Sequence, residues 1–198
     1  IRDRVFTKGV NVDEFVVDNK MPSATGKGYI SYISNCDPAL DVNNKIARAN
    51  TAGEPYITGG WPGDWWLFTI PEMTIKAGTV INAKFHARAS GTGMKYWMLE
   101  YYDGGEWKPG APLQTTTVGE GDQAQTFSYN YEMMNTDHCL IDRNMTFEHA
   151  INNGDILIRL RCMANWQASG KGALAAPNGG THRISVQNNI NPTISIVQ

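Results

Sequence analysis

A period-two alternation of side chains in the stretch from Asp64 to Tyr102 is the feature that most limits what this chain can fold into. Within residues 79–90, the odd positions from Ile81 to Ala89 are apolar, whereas the even positions from Asn82 to Arg88 are polar. Because successive side chains of a strand point to opposite faces of a sheet, this segment predicts a strand with one buried and one solvated face.

The segments on either side of this strand are also strand-like. Residues 64–70 are apolar on both faces, so we expect one of Trp65 and Trp66 to lie in the core, and Pro71 to end the strand. In residues 95–102, we expect Trp97 to be buried. Glycine-containing turns follow each of these segments, and the turn at 103–106 predicts a hairpin.

The whole chain shows about ten short segments of this kind, no convincing long helix and no fixed-period repeat. We expect irregular structure at 35–63 and 133–144, and a turn at 152–154 before a strong strand at 155–165. Numerous strands with one solvated face predict an all-β antiparallel sandwich rather than a barrel. A length of 198 residues suits a single domain, 1–198, with residues 64–187 as its clearest part.

Charge and hydropathy exclude some functions. The formal net charge is -2 and no run of Lys or Arg is present, which disfavours nucleic acid as a partner. No apolar stretch reaches the roughly 18 to 20 residues that cross a bilayer, so we expect no membrane-spanning segment and a soluble domain. The start at Ile1, without a signal-like segment, fits a cytoplasmic protein and a mature exported one equally.

The three cysteines, Cys36, Cys139 and Cys162, cannot all pair within one chain, and none has the spacing of a zinc site. One disulfide, for example between Cys139 and Cys162, and three unpaired buried thiols are both compatible with the sequence. The redox compartment therefore stays open.

The order of these segments resembles the jelly-roll sandwiches of galactose-binding-like and carbohydrate-binding-module type. The motifs that carry the resemblance are WWLFTIP, KAGTVINAKFHARAS, NGDILIRLR and the closing THRISV, within residues 64–187. The pattern is also similar to uncharacterised domains of surface lipoproteins in Gram-negative polysaccharide-uptake systems. The resemblance implies a jelly roll, an extracytoplasmic (periplasmic or cell-surface) location, glycan contact and often a structural calcium ion. No ligand-binding motif of the group matches here.

Sugar recognition requires flat aromatic faces with hydrogen-bonding groups beside them. If the polar faces of the central strands lie side by side in one sheet, they would form one concave surface; its members would be Lys84, His86, Arg88, Tyr96, Glu100, Arg159 and Arg161. The alternative is an ordinary solvated face with cross-strand ion pairs. Three tryptophans near loops, Trp61, Trp107 and Trp166, are the aromatic candidates, and capping the sandwich edge is their alternative role.

Other chemistry has weaker support. Loop oxygens that suit calcium occur at Asp37, Asp41, Asn43 and Asn44, and at Asp103 and Glu106, but Asp and Asn in loops usually serve turns. The carboxylates nearest to a hydrolytic pair are Glu72, Glu100, Asp103 and Glu106. The four histidines have no metal-binding spacing, and no GxSxG elbow or phosphate-binding loop is present.

We therefore predict a non-catalytic carbohydrate-binding domain with a glycan or polysaccharide as partner. Its predicted contact residues are Trp61, Trp107, Trp166, Arg88, Glu100, Arg159 and Arg161. A structural or adhesion domain without a small ligand, and a glycoside hydrolase-related enzyme, are the two alternatives. No cofactor is predicted apart from the calcium ion.

Overall fold

A computed structural model describes residues 4–5, 20–33, 48–49, 54–58, 62–169 and 180–197. These residues form sixteen strands and one 3-10 turn at Gly121–Gln123. All the strand pairings among them are antiparallel. The predicted all-β class is confirmed, and the sequence underestimated the strand number because many of the additional strands have only two to four residues. No helix in these ranges has the length and apolar content that a membrane crossing requires.

The strands form two seven-stranded sheets and a separate hairpin. Sheet I contains β1 (Arg4–Val5), β4 (Arg48–Ala49), β5 (Pro55–Thr58), β7 (Thr79–Ala89), β13 (Cys139–Phe147), β15 (Thr181–Ser185) and β16 (Thr193–Ile196). Sheet II contains β2 (Lys20–Pro22), β3 (Tyr29–Ile33), β6 (Trp65–Ile75), β8 (Tyr96–Asp103), β9 (Glu106–Pro109), β12 (Tyr131–Glu132) and β14 (Ile151–Cys162). The hairpin consists of β10 (Gln114–Val118) and β11 (Gln125–Tyr129).

Each sheet is organised around one long strand. In sheet I, β7 pairs with β13 along one edge and with β15 and β16 in succession along the other. In sheet II, β14 lies between β6 and β8. The chain passes from one sheet to the other at each step of β6, β7 and β8, and again at β13, β14 and β15. This alternation between two sheets is that of a jelly-roll sandwich, as predicted.

The core lies between the sheets and is filled by alternate side chains of the long strands. Phe68 of β6 and Phe85 of β7 pack across it with ring centroids 4.8 Å apart. Trp66 and Trp97 are both fully buried, which confirms the prediction for Trp97 and identifies Trp66 as the core residue of its pair. Burial of each such side chain stabilises the fold by about 1.5 to 3 kcal/mol.

One polar contact also joins the sheets inside the core. The indole Nε1 of Trp66 donates a hydrogen bond of 3.2 Å to Nδ1 of the fully buried His182 on β15. The ring of Trp97 packs against the same imidazole, with centroids 4.7 Å apart. Since Nδ1 accepts this bond, His182 carries no proton on that nitrogen.

Pro71 does not end its strand, contrary to expectation. Strand β6 continues to Ile75, because its pairing with β14 skips Pro71 and Glu72 in a bulge. Glu72 has a φ of 57° in this bulge. A proline without a ladder partner loses no ladder hydrogen bond, so it is tolerated there.

Three further local expectations are wrong. The segment 133–144 contains the first part of β13, the segment 35–63 contains β5, and residues 152–154 lie inside β14. In β14 the register shifts between Ile151 and Ile156, so the asparagines and glycine that suggest a turn form a bulge instead. In β13, Cys139 to Ile141 are followed by the exposed polar residues Asp142, Arg143 and Asn144, so no alternation is visible before Met145.

Two of the three cysteines are unpaired thiols, and Cys36 lies outside the described residues. Cys162 is fully buried in the core, and burial raises the pKa of its thiol well above the usual range. Burial also raises the pKa of Cys139, to about 11. Both thiols are therefore protonated and unreactive at neutral pH.

The buried carboxylate of Asp103, at the end of β8, provides a test of the fold by pH. Burial raises the pKa of Asp103, but hydrogen bonds to its carboxylate lower the pKa by more, so the net shift is downward. The donors are Lys108, the His149 ring and the backbone N–H groups of His149 and Glu148. The charged form therefore stabilises the folded state above the unfolded pKa of about 3.9, and this contribution disappears as the pH falls through the folded pKa.

We expect Asp103→Asn to reduce the free energy of unfolding by about 1 to 2 kcal/mol at pH 7. Urea unfolding at pH 7 and at pH 3 should show a smaller difference between variant and wild type at pH 3. The exposed Asp155→Asn serves as the control and should change stability little at either pH. An equal loss for Asp103→Asn at both pH values would show that the charge of Asp103 is not involved.

Candidate functional site

The structure separates the predicted contact residues. Arg88 lies on the outer face of sheet I, together with Lys84 and His86, because β7 belongs to that sheet. Tyr96, Glu100, Arg159 and Arg161 lie on the outer face of sheet II. The single concave surface expected for all of these residues therefore does not exist, and Trp61 lies outside the described residues.

The strand register brings four of the predicted residues together on the outer face of sheet II. Arg159 is the cross-strand partner of Glu100, and Arg161 lies two residues further along the same face of β14. Trp107 pairs with Tyr102, which shares the outer face of β8 with Glu100. On the other side of β14, Trp65 pairs with Arg161. We call the group Trp65, Glu100, Tyr102, Trp107, Arg159 and Arg161 the platform.

A two-glycine hairpin positions Trp107. Gly104 and Gly105 link β8 to β9 with φ values of 63° and 90°, a backbone that residues with a Cβ rarely adopt. A Cβ on Gly104 would also approach the ring of His149 to 2.4 Å. The tight turn returns the chain alongside β8 and places Trp107 on the platform. The hairpin predicted at 103–106 is therefore present.

Glu100 is the electrostatic centre of the platform. Its Oε2 accepts hydrogen bonds from Nε of Arg159 at 2.7 Å and from Nε of Arg161 at 3.0 Å. Its Oε1 accepts a third from Nη2 of Arg161 at 3.0 Å. Burial lowers the pKa of Arg159, while the hydrogen bond and charge of Glu100 oppose that shift. One carboxylate thus fixes the positions of two guanidinium groups.

Arg159 in turn holds the aromatic side chains. Its Cζ lies 3.9 Å from the centroid of the Trp107 ring and 5.1 Å from that of Trp65. Tyr102 contacts the Trp107 ring at an angle of 61°, with centroids 5.3 Å apart. Cation–π contacts with a guanidinium that is itself held by Glu100 leave the indoles little freedom to rotate.

Sequence reasoning did not select Trp65 and Tyr102 as contact residues. The alternation within residues 64–70 was the available signal, because burial of Trp66 places Trp65 on the opposite face. Two polar atoms on this face of β6, Nε1 of Trp65 and Oγ1 of Thr69, are buried and make no hydrogen bond within the described part of the protein. Such groups are normally paired, so this face has unmet hydrogen-bonding capacity.

Trp166 lies in a different environment from the platform. It packs against a small apolar cluster that includes Tyr96 and Ala164 of the main body and Val118 and Tyr129 of the β10–β11 hairpin. A direct contact of Trp166 with a ligand stays a prediction. The alternative role of capping the sandwich edge also stays a prediction.

The structure describes some of the residues considered for a metal site and for hydrolysis. Within the described ranges, no three His, Cys, Asp or Glu side chains gather in a way that could hold a metal ion. Asp103 bonds Lys108, Glu72 bonds Lys27 and Glu100 bonds the two arginines. The loop with Asp37, Asp41, Asn43 and Asn44 lies outside the described residues, so the calcium ion stays a prediction.

Comparisons with known proteins concern mainly the fold. No family model matches the chain, and no curated protein matches it. Carbohydrate-binding modules are among its structural neighbours, in agreement with the resemblance noted from the sequence. One is a family 4 module, 13% identical over 85% of this chain and 86% of its own, with a TM-score of 0.43. Another is the family 22 xylan-binding domain of Xyn10C from Paenibacillus barcinonensis, 9% identical over 100% and 94%, with a TM-score of 0.44.

The neighbours also include a protein described in other terms. The K3 adhesin domain of Lys-gingipain from Porphyromonas gingivalis is 8% identical over 98% of both chains, with a TM-score of 0.39. At such identities and TM-scores, none of these neighbours says what this chain binds.

Removal of the Glu100 charge should disrupt the platform. We expect Glu100→Gln to reduce the free energy of unfolding by about 3 kcal/mol, because the largely buried Arg159 and the partly exposed Arg161 both lose their counter-charge. Glu148→Gln is the matched control: Glu148 bonds Lys108 but is 69% exposed, so its loss should amount to less than about 1 kcal/mol. Urea unfolding followed by circular dichroism measures both, and equal effects would contradict the central role of Glu100.

Proposed function

We propose that this protein is a carbohydrate-binding domain and that the platform on the outer face of sheet II is its contact surface. The observation that carries the proposal is the fixed assembly of Glu100, Arg159 and Trp107. It combines aromatic surface with planar hydrogen-bonding groups on a rigid sheet, which is what recognition of a pyranose ring requires.

The aromatic groups of the platform are ordered before any ligand arrives. Trp65 and Trp107 are partly exposed, and Tyr102 is 37% exposed. Contacts with Arg159 and between Tyr102 and Trp107 restrict these rings in the free protein. Binding therefore loses little side-chain entropy, which favours contact with the C–H faces of sugars.

The polar groups of the platform have capacity for sugar hydroxyls. The Arg161 side chain is 29% exposed and uses Nε and Nη2 for Glu100, so among the described residues its Nη1 has no partner. Nε1 of Trp65 has no partner in the described chain but is buried, so a ligand reaches it only if the indole turns outward. A hydroxyl or a bridging water can accept from these groups.

The proposed role is non-catalytic. A glycoside hydrolase needs an acid and a second carboxylate that face each other across the scissile bond. The described carboxylates Glu72, Glu100 and Asp103 are each bound to cationic side chains instead. We further propose an extracytoplasmic, cell-surface or periplasmic location, where soluble and wall-bound polysaccharides are available as partners.

We expect Trp107→Ala and Trp65→Ala to weaken binding to soluble polysaccharides by about tenfold or more, because truncation removes an anchoring aromatic face. Affinity electrophoresis on a panel of xylan, hydroxyethylcellulose and galactomannan measures this as lost retardation. Leu140→Ala is the control, since Leu140 is an apolar residue on the outer face of sheet I with 45% exposure, and it should behave as wild type.

Two results would count against the proposal. The first is that no polymer of the panel retards the wild-type protein, which would favour a structural or adhesion domain. The second is that Trp166→Ala abolishes retardation while Trp107→Ala does not, which would place the contact elsewhere. Turnover of an aryl glycoside that is lost in Glu100→Gln or Glu72→Gln would overturn the non-catalytic role.

A further inference from the structure

The outer face of sheet I carries a second, separate feature. A cavity of about 220 Å³ opens between the ends of β7 and β15, and its described lining residues are Arg88, Ala89, Ser90, Thr181 and Arg183. Arg88 and Arg183 are direct cross-strand partners, so both guanidinium groups lie on the same face of the sheet. Like charges directly opposite each other on neighbouring strands repel, so this pair destabilises the sheet unless an anion lies near it.

Only one of the two arginines, Arg183, has a carboxylate beside it in the described part of the chain. In the described part of the chain, Glu54 is the one carboxylate within 4.0 Å of either guanidinium, with 3.6 Å from its Oε2 to Nε of Arg183. Arg88 donates from Nη2 to the neutral carbonyl of Asn135 at 2.6 Å. The local balance of the two guanidinium groups and Glu54 is therefore one positive charge in excess.

The groups around the cavity that lack a hydrogen-bond partner are donors. Nε of Arg183 is buried and makes no hydrogen bond to any described residue. Ser90 accepts a hydrogen bond of 2.7 Å from the backbone N–H of Thr181, which leaves the hydroxyl proton of Ser90 without an acceptor among the described residues. No acidic side chain is among the described lining residues. Nε of Arg183 is directed to Glu54, so the groups available to a ligand are the outer guanidinium nitrogens and the hydroxyl proton of Ser90, which favour an acceptor-rich group.

The charges of the two arginines also act on His138, which lies near the cavity. Nδ1 of His138 lies 2.7 Å from Oγ of Ser185, next to Arg183 on β15. Burial lowers the pKa of His138, and the positive charges of Arg183 and Arg88 lower it further. Glu54 opposes this effect, but the two guanidinium groups act more strongly on the imidazole.

We propose that this cavity binds one organic carboxylate, held between Arg88 and Arg183. A carboxylate offers two oxygens in the plane that guanidinium groups recognise. Its single negative charge matches the excess of one positive charge, whereas phosphate would introduce close to two. The cavity is larger than a bare carboxylate group, so the carboxylate of a sugar acid or of another small organic acid fits the chemistry. The site is independent of the platform, which lies on the other sheet.

NMR titration of the ¹⁵N-labelled protein at pH 7 tests this proposal. Sodium glucuronate should produce saturable shifts at the backbone amides of Ser90 and Thr181, and glucose, which lacks the carboxylate, should produce none. Acetate at higher concentration should shift the same amides if the carboxylate alone is sufficient; a response to glucuronate only would assign the site to sugar acids. Absence of shifts with both carboxylates, or tighter binding of inorganic phosphate than of glucuronate, would overturn the proposal.

Two arginine variants keep the test independent of folding. Arg88→Met should weaken glucuronate binding by about tenfold or more, because it removes a charged donor but leaves the contact between Arg183 and Glu54 intact. Arg183→Met should do the same, with some loss of stability since Glu54 loses one of its contacts. Arg143→Met, an exposed arginine of β13 that bonds Tyr131, is the charge-matched control and should bind as wild type. Unchanged binding in Arg88→Met would contradict the assignment.

Discussion

The burial of one face of each sheet is the constraint on which the rest of this structure depends. Phe68 and Phe85 meet between the sheets, and Trp66 and Trp97 fill the space beside them. Because strand side chains alternate, fixing these inner positions also fixes which residues occupy the two outer faces. The platform and the arginine cavity are consequences of this one packing arrangement.

The two outer faces use charge in different ways. On sheet II, Glu100 makes three hydrogen bonds with Arg159 and Arg161, and the aromatic rings are held in place. On sheet I, Glu54 contacts Arg183, and Arg88 has no carboxylate within 4.0 Å among the described residues. The fixed aromatic rings support the proposal of a ring-shaped ligand on sheet II, and the guanidinium of Arg88 supports that of a carboxylate on sheet I. A single fold can thus present two chemically distinct surfaces.

The sequence predicted the parts of the fold that depend on local alternation. The buried face of β7 was predicted from the residue pattern, and so was a strong strand over most of β14. Strands that contain bulges were harder to predict, because a bulge at Pro71 or near Asn153 imitates the end of a strand. The start of β13 was missed because Cys139 to Ile141 are followed by three exposed polar residues, so its side chains show no alternation there.

The candidate site was predictable only in part, and the reason is non-local. Alternation places Glu100, Arg159 and Arg161 on polar faces, but only the pairing of β14 between β6 and β8 shows that they meet and that Trp65 joins them. The same information about pairing moves Arg88 to the opposite sheet, next to Arg183. Strand order is set by long-range packing, which a single sequence does not reveal.

The most direct test of the account observes all six tryptophan indoles at once. Indole N–H signals in ¹⁵N NMR spectra, recorded while a soluble oligosaccharide from a retained polymer is added, should shift for Trp65 and Trp107. Those of Trp66 and Trp97, which are buried in the core, should stay unchanged and act as internal references. Saturable shifts confined to other tryptophans, with Trp65 and Trp107 unaffected, would contradict the proposal that the platform is the carbohydrate-binding surface.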